Sequence, residues 1–215
     1  TGSNVGSGDI GKSPEWSASM TMHLTLVGGG GHCVSCIDVI EGEGVYRIDG
    51  IVDPALPKSS KVSGYPVLGD DSVLASLIAG GSKFLVTIGQ VSSDSKRSSV
   101  FDRLGSLGAE FVTVISPRAY VSPRASLGVG SIIMHDAIVN AGATVGKNCI
   151  INTKSLIEHD TVVGDHCHVA TGAIVNGSVQ VGSNVFFGSG AISKHGARIP
   201  SDSFIKAGSV CVGEK

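Results

Sequence analysis

Charge is scarce in this chain. Of its 215 residues only 16% are Asp, Glu, Lys or Arg, and the formal net charge is −2. A nucleic-acid surface needs a basic excess, so that class of partner is set aside. Aromatic residues are scarcer still, at 5% with a single Trp. Long apolar runs are missing too: none approaches the ~20 residues of a membrane-spanning helix. The five cysteines are an odd count at unrelated spacings. That argues against a secreted disulfide framework and for a reducing, cytoplasmic setting. Apolar and small residues are plentiful, with 41% hydrophobics and 31 glycines. Such a composition excludes a disordered bulk, and the glycines show no collagen period.

Residues 1–19 are rich in Gly and Ser, lack a hydrophobic period and hold the only Trp, Trp16. They read as an added leader ahead of a start at Met20 or Met22, expected to be mobile, and no signal-peptide core is found in them. Residues 20–117 alternate strand and helix patterns. Strands are expected at 24–27, 46–53, 84–89 and 111–115, and helices after Gly31 to about Gly42 or Gly44, at 71–79 and at 93–107. That alternation predicts a Rossmann-like α/β domain with a parallel sheet.

The first strand runs into Gly28-Gly29-Gly30-Gly31-His32. A strand, a glycine turn and a helix start bring backbone N–H groups and a helix dipole to bear on phosphate. Asp53 ends the second strand, where a carboxylate can bond a ribose hydroxyl. Gly28 and Gly30 fit the dinucleotide fingerprint, but Cys33 takes the third glycine's place. A smaller nucleotide than NAD is therefore favoured; a tight turn without ligand is the plain alternative. Cys33 and Cys36 form a C-x-x-C on the first turn of the helix, expected to pack, with redox or zinc chemistry the lesser reading.

Residues 118–215 repeat every six. The series Val121, Leu127, Ile133, Val139, Val145, Ile151, Ile157, Val163, Val169, Val175, Val181, Phe187, Ser193, Ile199, Ile205, Cys211 is broken only by Ser193. Two residues earlier sits something compact, as in Ala137, Ala143, Cys149, Ser155 and Cys167. Residues two apart on a strand share a side. Both therefore point into a narrow prism, the mark of a parallel β-helix of hexapeptides. Three hexads make one coil of 18 residues, so Cys149 and Cys167 belong to an inner ladder (167 − 149 = 18). The residue after each bulky one is often Gly or Asn, as at Gly128, Asn140, Gly146 and Gly164. Those types tolerate a left-handed φ at the corner.

The glycine loop with His32, Asp53, the strand ending in Ile88-Gly89, and the segment 152–172 with its Ile157-Glu158-His159-Asp160 corner together resemble a known family. It is that of the hexapeptide-repeat bacterial nucleotide-amino-sugar N-acetyltransferases of the bacillosamine and perosamine type, in the sialic-acid O-acetyltransferase-like group. The resemblance implies a left-handed β-helix, a homotrimer with sites between subunits, and acetyl-CoA as co-substrate with no metal. It implies direct acetyl transfer to the 4-amino group of a nucleotide-linked amino-dideoxy sugar, UDP-linked first and GDP-perosamine or a dTDP-sugar next. His159 would be the general base and Asp160 its partner. Gly28, Gly30, Gly31, His32, Asp53, Gly89 and Asn152 would bind the sugar nucleotide. His168, Gly177, Gly188, Ser189, Ala207 and Gly208 would meet acetyl-CoA, Gly177 through its N–H. Two departures stand out. Pro54 follows Asp53 where the family often has a second acid, and the family's Gly-x-Pro-Ala tail is not present before Lys215.

Other classes compete. O-acetylation of the sialate type uses the same fold. A γ-carbonic-anhydrase-like zinc site could draw on His159, His166 and His168. A non-catalytic assembly is the third reading, since fold alone does not imply chemistry.

Overall fold

The computed structural model describes residues 22–90 and 96–213, so the leader reading and the first three residues of the helix expected at 93–107 lie outside it. The chain opens with β1 (Met22–Val27), α1 (Gly31–Glu43) and β2 (Tyr46–Val52). Next come β3 (Lys61–Val62), β4 (Tyr65–Gly69), a 3-10 turn (Asp71–Val73) and α2 (Leu74–Ala79). The unit ends with β5 (Lys83–Val86), α3 (Lys96–Ser106) and β6 (Glu110–Phe111). These strands form one sheet in the order β3-β4-β2-β1-β5-β6. All pairings are parallel except β3 with β4. The sheet is therefore mixed, not purely parallel as expected. Its edge hairpin turns at Ser63 and Gly64, both at positive φ (47° and 89°). Central β1, with Leu24 and Leu26 fully buried, is covered by α1 through Cys33, Cys36, Ile37 and Ile40.

The strand expected at 111–115 is split in two. Glu110–Phe111 closes the sheet, whereas Val114–Ile115 pairs with Ile132–Ile133 and starts the coil. From there seventeen two-residue strands, Val114–Ile115 through Val210–Cys211, build a three-sided parallel β-helix. The second residue of each strand points inward: Val139, Ile157, Val175 and Phe187 are at most 1% exposed. The compact partners Ala137, Cys149, Ser155, Thr161, Cys167 and Ala173 fill the prism between them. Each buried aliphatic side chain contributes about 1.5–3 kcal/mol, which is how so short a strand can persist. Ser193 does not interrupt this interior. It is buried, its hydroxyl accepts from the Asn176 N–H at 2.8 Å, and its carbonyl accepts from the Asn176 amide at 2.6 Å.

The corner chemistry differs from expectation. Left-handed φ falls three residues after the bulky one, at Asp136, Asn148, Asp160 and His166 among others, not one residue after it. Gly128, Gly146 and Gly164 are glycine for space instead. A Cβ on Gly128 would collide with the Gly146 carbonyl carbon in the next coil, and one on Gly164 would stand 2.7 Å from that of Gly182.

The three faces differ outside. The first carries Val114, Ile132, Ile150, His168, Phe186 and Phe204, and α1 covers its early coils. We call it the buttressed face. The second presents Tyr120, Ile138, Leu156, Ile174, Ile192 and Val210, an apolar face with Ile138 and Ile192 exposed. The third shows Ser126, Thr144, Val162, Gln180 and Arg198 and is the polar face.

Candidate functional site

Two places in the fold gather polar and titratable groups around open space. The first is a cavity of about 520 Å³ at the carboxyl ends of β1, β2 and β5, lined in part by Gly28, Gly30, Gly31, His32, Asp53 and Gly89. The glycines there serve different ends. Gly28 has φ 105° and lies against Ile88, while a Cβ on Gly89 would press on His32 at 3.1 Å. A Cβ on Gly30 or Gly31 would meet no atom within 4 Å. Protein packing does not ask for glycine at those two positions; the bare backbone leaves a cradle open at the start of α1. The first turn of α1 holds no acid and has no side-chain cap, so its N–H groups and dipole face the cavity uncompensated.

Asp53 braces this loop. Its Oδ2 accepts from the Gly29 N–H at 2.7 Å and its Oδ1 from the Ala55 N–H at 2.8 Å. The opposite wall is α3, which offers Lys96, Val100 and Arg103 at helical spacing. Arg103 is paired with Asp71 at 2.7 Å. Sequence reasoning missed these two cations; the four- and three-residue spacing of 96, 100 and 103 was the available signal.

Asn152 does not line the cavity but is tied to it. Its side-chain amide donates to His168 Nε2 at 3.0 Å, and the His168 ring lies 6.3 Å from that of His32. His168 Nδ1–H donates to the Gln90 carbonyl at 2.6 Å, so both ring nitrogens are engaged. Burial holds His168 and His32 down to about 4 each, well under the usual imidazole range. His32 Nε2 is buried with no partner among the described residues. The buried Arg97 of α3 joins the two parts of the chain. It donates to the Asn148 carbonyl and side chain, the Gln90 side chain and the Cys167 carbonyl.

The second place is the corner between the apolar and polar faces. His159 follows Leu156–Ile157 by two residues and stands outside the prism, its side chain 55% exposed. Its Nδ1 is bonded to the Asp160 carboxylate at 2.9 Å. Asp160 sits at φ 57°, and that left-handed turn folds its side chain back onto the neighbouring ring. The other nitrogen of His159 rests over Gly177, one coil on: a Cβ there would lie 2.7 Å from Nε2. The Gly177 amide donates to no group among the described residues. A groove of about 750 Å³ runs from this corner across the polar face, bordered by Ser178, Gly196, Gln180 and Arg198.

Gly188, Ser189, Ala207 and Gly208 are not at this corner. They stack on the one between the buttressed and apolar faces, beyond Asn152 and Ala170. The histidines a zinc site would need also stay apart. His166 accepts from the Asn148 amide at 2.9 Å and edges against Phe101, His168 is on the buttressed face, and His159 is at another corner. Among the described residues no three His, Cys, Asp or Glu side chains are grouped to hold a metal. Cys33 and Cys36 are core residues whose thiols burial pushes upward. No helix among the described residues is long and apolar enough to cross a membrane.

Comparison with known proteins supplies the context. The PglD N-terminal domain family matches residues 23–104. PerB from Caulobacter crescentus, solved with CoA and GDP-perosamine, is 33% identical; the match covers 89% of each chain with a TM-score of 0.81. The acetyltransferase domain of PglB from Neisseria gonorrhoeae is 28% identical over 90% of this chain and 93% of its own, at a TM-score of 0.83. A further structure of that domain contains acetyl coenzyme A. WeeI from Acinetobacter baumannii, 21% identical over 88% of this chain and 96% of its own, shares the fold at a TM-score of 0.70. No curated protein sequence matches the chain.

Proposed function

The chain belongs to the hexapeptide-repeat nucleotide-amino-sugar N-acetyltransferases of the perosamine and bacillosamine type, and on that premise we propose that His159 is the general base that lets a nucleotide-linked 4-amino sugar take the acetyl group of acetyl-CoA. The enzyme is an acyltransferase with acetyl-CoA as its co-substrate. One observation carries the assignment of the base: Asp160 holds Nδ1 of His159 at 2.9 Å while Nε2 faces outward over Gly177.

The residues divide the work. The open backbone at Gly30 and Gly31, the start of α1, and Lys96 with Arg103 across the cavity hold the diphosphate. Asp53 keeps the loop in shape. Pro54 fills the place next to Asp53, and the relative at 33% identity holds GDP-perosamine. We therefore put a GDP-linked amino sugar first and a UDP-linked one second. Acetyl-CoA supplies an activated acyl group as a thioester. The groove beside Gly177 suits its long arm, with Arg198 offering a charge to its phosphates. His159 Nε2 takes the proton that the amine sheds on attack, Asp160 stabilises the resulting imidazolium, and the Gly177 N–H faces the oxygen that gains charge.

A second copy completes the site. The apolar face is flanked by two corners, one carrying Asn152, Gly188, Ser189 and Ala207, the other His159 and Gly177. A copy seated on that face brings the first corner of one chain to the second corner of its neighbour. This is the closed, heterologous contact that a trimer makes.

The test is mass spectrometry after incubation with acetyl-CoA and a panel of GDP-, UDP- and dTDP-linked 4-amino sugars. The expected result is a product heavier by one acetyl group for at least one of them, lost by about 10²–10⁴-fold in His159→Ala. No product with any acceptor refutes the reading. A variant within tenfold of the parent refutes the general base.

A further inference from the structure

The corner that carries His159 is nearly bare. Its column of residues, read coil by coil, is Pro123, Ala141, His159, Gly177, His195 and Gly213, each 18 from the next (177 − 159 = 18; 195 − 177 = 18). Only two of these six bring a ring with polar atoms, and a glycine separates them. Strands in neighbouring coils lie 4.7–4.9 Å apart, so backbones two coils apart are about 9.5 Å apart. The rings of His159 and His195 nevertheless come to 6.2 Å between centroids, tilted by 45°. The His159 ring reaches over Gly177, into the space its missing side chain leaves, and so comes up to the His195 ring. No inward packing accounts for this, because both residues are exposed. Nor does a bond elsewhere: His195 makes no hydrogen bond among the described residues, and only His159 has a carboxylate on its ring. Gly196, the next residue, borders the groove on the polar face.

Resting on the acetyltransferase reading above, we propose that His195 is a second catalytic residue, whose ring N–H donates to the acetyl carbonyl oxygen placed over Gly177. The roles follow from the partners. His159 is oriented by Asp160 and is the base; the ring of His195 is free to turn an N–H toward the same point. In the step, the amine lone pair forms the C–N bond and the carbonyl π pair moves onto oxygen. The Gly177 and His195 N–H groups meet that charge, and His159 Nε2 takes the amine proton. The pair then returns, the C–S bond breaks and CoA leaves as its thiolate. Two convergent donors are a common way to stabilise such an oxygen.

The test uses the full chain with acetyl-CoA and whichever sugar nucleotide it accetylates best, comparing the parent with His159→Ala, His195→Ala and His195→Gln. For His195→Ala the expected result is kcat down by about 10²-fold, near the cost of one oxyanion donor. KM for the sugar nucleotide and the affinity for free CoA should stay within twofold. His195→Gln, which keeps an N–H donor, should recover about tenfold over the alanine variant. A His195→Ala enzyme within twofold of the parent in kcat, alongside a crippled His159→Ala, overturns this proposal and leaves the acetyltransferase reading standing. A parent chain that acetylates no acceptor overturns both.

Discussion

Gly177 lies against the imidazole of His159, so close that a Cβ would stand 2.7 Å from Nε2. The contact crosses one coil of the prism, and it makes the first prediction a steric one. Gly177 has an ordinary negative φ, so alanine fits the backbone there and fails only for space. Gly177→Ala should displace the ring and lower acetyl transfer by about 10²-fold, with the unfolding midpoint unchanged. Full activity in that variant would show that the ring does not work from this position.

Asp160→Asn separates charge from shape. Asn tolerates the left-handed turn as Asp does, so the corner is kept while the carboxylate is lost. We expect kcat to fall by about tenfold or more, with KM for acetyl-CoA little changed, because the amide no longer stabilises an imidazolium. Steady-state kinetics on the two proteins decide it.

Stability should depend on pH through two histidines. Burial, with Arg97 nearby, holds His32 and His168 at about 4 each when folded, against 6.5 when exposed. Below pH 6.5 the unfolded chain binds protons that the folded chain refuses. Their contribution is thus complete above that pH and is lost as pH falls toward 4. The loss is on the order of 3 kcal/mol per imidazole. Between pH 7 and pH 5 about 2 kcal/mol of that per imidazole is already lost, so urea midpoints at the two pH values should differ, and His168→Gln should shrink the difference by about half. Equal midpoints at both pH values would contradict it.

Arg97 is 2% exposed and holds α3 to the coil through three oxygen atoms, with a fourth on Gln90. Arg97→Met removes the donor to the Asn148 carbonyl and side chain and to the Gln90 side chain, while the Cys167 carbonyl keeps the Ile150 N–H. A cost of about 1–3 kcal/mol, that of buried acceptors left without a donor, is expected in denaturant unfolding. Arg97→Lys should not restore it, since one ammonium cannot span the same fork.

Ile138 and Ile174 lie mid-stripe on the apolar face. Placing Asp at both should give a monomer in sedimentation and abolish acetyl transfer while sugar-nucleotide binding persists. An active monomer would remove the intersubunit site.

The coil was legible because its constraint is local and periodic. An interior that admits one large and one compact side chain every six residues prints itself on the sequence, and Val139 with Ala137 or Ile157 with Ser155 can be read without coordinates. Ser193 looked like a break because its partner, Asn176, is seventeen residues away. The left-handed corners were misplaced because glycine has two uses, and the steric one at Gly128 and Gly164 depends on the backbone of the next coil.

The glycine loop, the hexad prism and the His159-Asp160 pair are written in neighbouring residues, and residue chemistry plus spacing suffices for them. Other features arise only when distant segments meet. Arg97 finds Asn148, Lys96 and Arg103 turn toward the cavity, and Gly188 takes a different corner from Gly177. His159 reaches over Gly177 toward His195, a meeting that exists only because the coil stacks every eighteen residues. Those contacts depend on where the chain returns in space, and a periodic pattern carries the repeat without saying which side chain will stand beside which.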